Sequence, residues 1–194
     1  MTLSELYDEL AYVNHSREKR AYYAQLITNE PGLMELVLEI LFMVDDTRSP
    51  KAGWIAEFAT KEDITTILPH LELFTTKMHT VYQDAALRPV SKICEELAIS
   101  YYKLKNPQTR ASLARIQRER MVTAAFDWLI TDQKVAVKAY SMTTLYHLGT
   151  EIDWVHRDLK RIMEDGYATG SAAFKARCRH VSSWISKRKK TKSR

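Results

Sequence analysis

Five times along the 194-residue chain a basic residue stands at the head of an amphipathic segment: Arg20, Lys51, Lys92, Lys138 and Lys175. A small residue follows four of them, namely Ala21, Ala52, Ala139 and Ala176. The spacings run from about 30 to 46 residues, the period range of helix-pair repeats. A hydrophobic face on every segment, joined by short connections, demands layers of helix on helix. The expected architecture is all-α: an α-α superhelix, or α-solenoid, of about five helical hairpins. A compact bundle of unrelated helices is the alternative, and the recurrence of a cation in every pair favours stacking.

The apolar spacing along the chain supports this. Leu3, Leu6, Leu10 and Val13 share one helical face, as do Tyr22, Tyr23, Leu26 and Ile27. Residues 33–45 are apolar nearly all round, as suits a helix between neighbours. Asp63 is placed to cap one long helix running to Val81, with a kink at Pro69 or a true start near Leu68. Further helices are expected over 87–104, 109–131, 134–148 and 151–164, with Gly149 as a left-handed helix terminator. The last helix carries Phe174, Cys178, Val181 and Ile185. One helical-repeat domain over 1–186 is expected, followed by a basic, disordered tail over 187–194.

Charge is informative by location. The net charge is +5, and residues 175–194 hold nine Lys and Arg with no acid, so the remainder is acidic. The first 46 residues carry nine acids against Arg17, Lys19 and Arg20, whereas residues 88–138 carry ten bases and five acids. No stretch approaches the roughly 20 apolar residues of a membrane helix, and the first residues lack the basic-then-apolar order of a secretory signal. Cys94 and Cys178 lie far apart and read as buried thiols in a reducing cytoplasm. The six histidines form no His-x-x-x-His or Glu-x-x-His arrangement, so neither metal nor cofactor is expected.

The unit Asp132 to Gly149 carries the clearest likeness. Val137-Lys138, followed by Leu145, resembles the second helix of a HEAT repeat, in which a turn aspartate faces an Arg or Lys of the next helix. Asp132 and Lys138 occupy those places, and Asp46 with Lys51 and Asp84 with Lys92 are looser versions. The resemblance to HEAT and armadillo-like arrays implies an α-solenoid that binds partners on its concave face. A weaker likeness is to the bacterial HEAT-like DNA alkylation repair glycosylases, which are small, helical and basic inside, and use an Asp and aromatic side chains near the lesion. Asp127-Trp128 and Asp153-Trp154 are the chain's Asp-Trp dipeptides, and neither lies in a motif of that group; base excision would be tested by changing Asp127 or Asp153. Nothing in 1–194 matches the serine-rich signature loop of the much longer adenylosuccinate lyases, so that label is not supported.

Three groups of candidate residues follow. The ladder Arg20, Lys51, Lys92, Lys138 and Lys175 is either a row of ion pairs stitching repeats together or a ligand-binding row on an inner curve. Arg110, Arg115, Arg118 and Lys134 form a candidate basic face, with Arg115 and Arg118 one turn apart and so on one side. Trp54 and Trp154, near helix starts, are candidate groove aromatics. No phosphate loop, nucleophile elbow or carboxylate pair suggests catalysis. The expected function is a non-enzymatic, cytoplasmic scaffold, monomeric, that binds another protein. Nucleic-acid binding through the ladder and tail is the alternative.

Overall fold

The computed structural model describes residues 1–13, 16–30 and 32–192. Eleven α-helices account for most of it, and no strand occurs among the described residues. They are α1 (Leu3–Leu10), α2 (Arg17–Asn29), α3 (Leu33–Leu41), α4 (Ser49–Glu62), α5 (Leu71–Lys77), α6 (Asp84–Ala98), α7 (Pro107–Ser112), α8 (Arg115–Ile130), α9 (Val135–Leu148), α10 (Asp153–Tyr167) and α11 (Ala172–Lys192). None is long and apolar enough to cross a membrane.

Local chemistry sets the helix starts. Thr2 and Glu5 form a reciprocal capping box at α1, the Thr2 hydroxyl accepting from the Glu5 N–H and the Glu5 carboxylate from the Thr2 N–H. Ser16 accepts from the Lys19 N–H at 3.1 Å. Asn106 accepts from the Thr109 N–H at 2.9 Å, with Pro107 as the first residue of α7.

Several segments expected as single helices are divided. The 63–81 stretch is short pieces: 3-10 turns at Ile64–Thr66, Leu68–His70 and Met78–Thr80 flank α5. Asp63 caps only the first turn, and Pro69 lies in the second, so the helix begins after it rather than bending at it. The 87–104 helix begins earlier, at Asp84, and ends as a π-helical turn over Ile99–Leu104. Lys105 stops that turn in the left-handed region, at φ 54°. The 109–131 stretch is broken by the extended Leu113 and Ala114 into α7 and α8. Gly149 has φ −66° and is no left-handed terminator. A Cβ there would stand 2.3 Å from the His156 ring, so a close approach explains the glycine. At the end of the chain, helical backbone runs on through Lys192, across the boundary expected at 186. Ser193 and Arg194 of the expected tail, and the Pro31 of the 29–32 turn, lie outside the described residues.

Packing follows a regular order. α2 lies against α4, α4 against α6, α6 against α9, and α9 against α11. Contacts ascend together along neighbouring helices: Trp54 meets Ala85 and Glu57 meets Arg88, while Thr143 meets Arg177 and Thr150 meets Arg188. Within each of these pairs, α4–α6 and α9–α11, the helices therefore run parallel. α3, α8 and α10 pack against α4, α9 and α11 respectively, while α1 lies on α3, and α5 and α10 lie on α8. A continuous apolar core from Leu6 to Ile185 fills the space between.

Two features tighten the α4–α6 contact. A Cβ on Gly53 would come within 2.9 Å of the Pro89 ring, so glycine lets these helices approach. Pro89, inside α6, has no N–H for the carbonyl of Ala85 four residues earlier. The Trp54 indole N–H donates to that carbonyl at 3.1 Å and replaces the missing bond.

Candidate functional site

The five ladder residues lie on α2, α4, α6, α9 and α11, the successive members of one packed row. Their environments differ. Arg20 stacks its guanidinium over Phe58 of α4, 4.6 Å from the ring centroid. Lys51 donates to the Ala11 carbonyl at 2.7 Å. Lys138, half-buried, lines an open cavity with Asp165 and Phe174. Lys175 lies 5.9 Å from the Tyr167 ring centroid. Lys92 is not at a helix start, because α6 begins at Asp84. It is half-buried and donates to Glu95 and Glu96, each at 2.7 Å.

The turn aspartates do not hold these cations. Asp46 accepts from the Tyr7 hydroxyl at 2.6 Å and the Arg48 N–H at 2.7 Å. Asp84 pairs with Lys134 at 3.2 Å. Asp132 is exposed, and among the described residues no ion pair joins it to Lys138. Asp46 and Asp84 sit where α4 and α6 begin, and Tyr7 of α1 and Lys134 reach them there.

The expected basic face is also rearranged. Arg115 projects into solvent beside Glu119, at 2.8 Å. Arg118 is turned inward and is only 7% exposed. It donates to the Leu113 carbonyl at 2.5 Å, pairs with Glu151 at 2.9 Å and lies over Tyr101. The break between α7 and α8 at Leu113 and Ala114 leaves a carbonyl that the Arg118 guanidinium meets inside. Arg110 faces the same Tyr101 ring at 5.6 Å. The two tryptophans are not brought together: Trp54 is committed to Ala85, and Trp154, 46% exposed, stacks on Phe126 of α8. Asp127 and Asp153 are exposed residues of α8 and α10, off the α2–α4–α6–α9–α11 row, and Trp128 is buried in the core.

What the row does assemble is a stripe of cations and rings beside two buried carboxylates. Starting from Arg20 on Phe58, the next residue is Glu57, 8% exposed, with Arg88 at 3.6 Å. Its Oε2 makes no hydrogen bond. Burial raises the Glu57 carboxyl above its ordinary range, against the lowering influence of Arg88, Lys92, Arg20 and Lys61. One turn beyond Arg88, Lys92 lies 5.1 Å from the Tyr140 ring centroid on α9. Burial lowers the Lys92 ammonium, but Glu95 and Glu96 together outweigh that and raise it. Glu95, itself buried, also faces Arg177 of α11 at 3.5 Å, and Arg177 donates to Thr143 of α9 at 2.5 Å. The stripe continues through Tyr146 against Trp184 at 5.2 Å, and Trp184 against His180.

Sequence reasoning missed Glu57, Glu95, Tyr140 and Arg177. Their signal is present as polar or aromatic residues at helical spacing: Arg88, Lys92 and Glu95 on α6; Tyr140, Thr143 and Tyr146 on α9; Arg177, His180 and Trp184 on α11. Among the described residues, no group of three or more His, Cys, Asp or Glu could hold a metal ion, and both cysteines are buried thiols. Comparison of the chain with protein-family models, with curated proteins and with solved structures returned no match.

Proposed function

We propose that the chain is a non-enzymatic, HEAT-like α-solenoid scaffold. Its α2–α4–α6–α9–α11 row forms the concave wall, and the stripe across that wall binds an acidic segment of another protein. The observation that carries this reading is the continuity of Arg20, Phe58, Arg88, Lys92, Tyr140 and Arg177 over five successive helices. Buried Glu95 holds Lys92 and faces Arg177, which lowers the ordering cost of recognising a partner carboxylate. Aromatic faces between the cations add apolar contact at small entropic cost.

The alternation of rings and cations also favours a second reading, binding of nucleic acid by stacking and phosphate contact. With Asp127 and Asp153 off the row, that reading does not include base excision. Fluorescence anisotropy separates the two. A labelled glutamate-rich peptide and a labelled oligonucleotide, duplex or single-stranded, are titrated with the full chain at about 50 and about 200 mM salt. Saturable peptide binding with weaker oligonucleotide binding supports the scaffold. Oligonucleotide binding that is tighter, and falls steeply with salt, replaces it with the second reading. No binding of the peptide at the lower salt overturns the scaffold reading.

A further inference from the structure

At the far end of the stripe, the π-helical turn, the end of α9 and the last turns of α11 line an open cavity of about 340 Å³. Tyr102 and Lys103 come from the turn, Tyr146 and His147 from α9, and Trp184 and Arg188 from α11. The volume lies in the range of pockets that hold small ligands. We infer that this cavity binds a small planar aromatic anion of mononucleotide size, its ring against Tyr146 and Trp184 and its anionic group between Lys103 and Arg188.

The shape and the chemistry of the walls carry this. Tyr146 and Trp184 pack at 5.2 Å with planes inclined by 51°, and both remain partly exposed. The Tyr102 hydroxyl is committed to Glu151 at 2.7 Å, so Tyr102 offers the cavity a ring rather than a donor. Arg188 is steadied by one hydrogen bond to the Thr150 carbonyl at 3.2 Å, leaving further guanidinium N–H groups. Lys103 is exposed at the mouth.

His147 supplies the second, independent observation. It lines the cavity and is 8% exposed, yet among the described residues neither ring nitrogen makes a hydrogen bond. Those nitrogens are not among the side-chain atoms sealed from solvent, so they open on the cavity. The Tyr146 carbonyl beside it is already taken by His156 at 2.7 Å. Burial, with Lys103 and His156, lowers the His147 imidazole to about 4, so at neutral pH it is uncharged and presents one donor and one acceptor. A planar ring with edge donors and acceptors satisfies both a stacking wall and this imidazole, whereas an aliphatic anion has no face to stack. The cavity shares Tyr146 and Trp184 with the stripe, but none of Arg20, Phe58, Arg88, Lys92, Tyr140 and Arg177 lines it.

Calorimetric titration of the full chain with adenosine monophosphate, adenosine and ribose 5-phosphate tests it. Adenosine monophosphate is expected to bind at one site, and each fragment at least about 10-fold more weakly, since stacking and charge pairing each supply about that factor. The surface variant Lys103→Gln/Arg188→Gln, which leaves the core untouched, is expected to weaken the nucleotide about 10-fold or more and to leave any adenosine binding unchanged. His147→Leu, apolar and similarly buried, is expected to fold and to lose affinity. No saturable heat up to about 1 mM, equal binding of all three probes, or unchanged nucleotide affinity in both variants overturns the inference. Loss of peptide binding by the stripe with nucleotide binding intact leaves it standing.

Discussion

Trp54 shows how one side chain can be structural where its position suggests a binding role. Its indole N–H completes the hydrogen bonding that Pro89 removes from α6, and it joins α4 to α6 at the point where Gly53 allows close approach. Trp54→Phe keeps the ring and loses the bond, and is expected to destabilise the chain by about 1 kcal/mol in urea unfolding. An unchanged midpoint would mean that water serves Ala85 equally well. Glu57 gives a pH signature. Its folded-state carboxyl is raised above 4.5 by burial, so the folded chain binds that proton more tightly than the unfolded chain. Its contribution is therefore most favourable below the ordinary carboxyl range and declines as pH rises through the raised value. Glu57→Gln is expected to flatten that decline and to leave stability at pH 7 unchanged or about 1 kcal/mol higher. A clear loss at pH 7 would show that attraction to Arg88 exceeds the cost of burial. His147 acts in the opposite sense: lowered to about 4 from 6.5, it contributes stability above about 6.5 that is lost as pH falls towards 4.

Helix ends carry the clearest consequences at the scale of elements. Gly149 admits the His156 ring against the end of α9, where its Nε2 meets the Tyr146 carbonyl. Gly149→Ala is expected to cost about 1–3 kcal/mol through overpacking, and a second change, His156→Ala, should recover part of it. If the alanine variant melts like the parent, the close approach is not a constraint. Lys105 closes the π-helical turn at positive φ, so Lys105→Gly is expected to stabilise by about 0.5–1 kcal/mol. These ends were the least legible part of the sequence. Gly149 looked like a left-handed terminator because that is the common use of glycine after a helix; the clash with His156, seven residues away, has no local signal. Asp63 and Pro69 pointed to a helix start nearby, yet not to a run of 3-10 turns, which tertiary contacts select. The break before α8 was hidden because Leu113 keeps its apolar place while its backbone is extended.

The whole molecule was more legible than its parts. A cation recurring at helix-pair intervals marked the helices that form one packed row, because the apolar period that buries each helix also sets its spacing along the chain. The register of that row was not legible: α6 starts eight residues before Lys92, which moves this lysine from a helix head to the middle of the stripe. The partners of the ladder were not legible either, since Asp46 and Asp84 meet Tyr7 and Lys134, contacts made across loops rather than along a helix. The proposed concave wall thus rests on Arg88, Tyr140 and Arg177 as much as on the ladder. The most direct measurement is the affinity of the labelled glutamate-rich peptide for two double variants that both retain the native circular dichroism spectrum. Arg88→Gln/Arg177→Gln, on the stripe, is expected to weaken binding about 10-fold or more, while Arg115→Gln/Arg157→Gln, which removes the same charge from α8 and α10, leaves it within about two-fold. Equal losses in the two variants would show that net charge, not the row of packed helices, holds the partner, and would contradict the account.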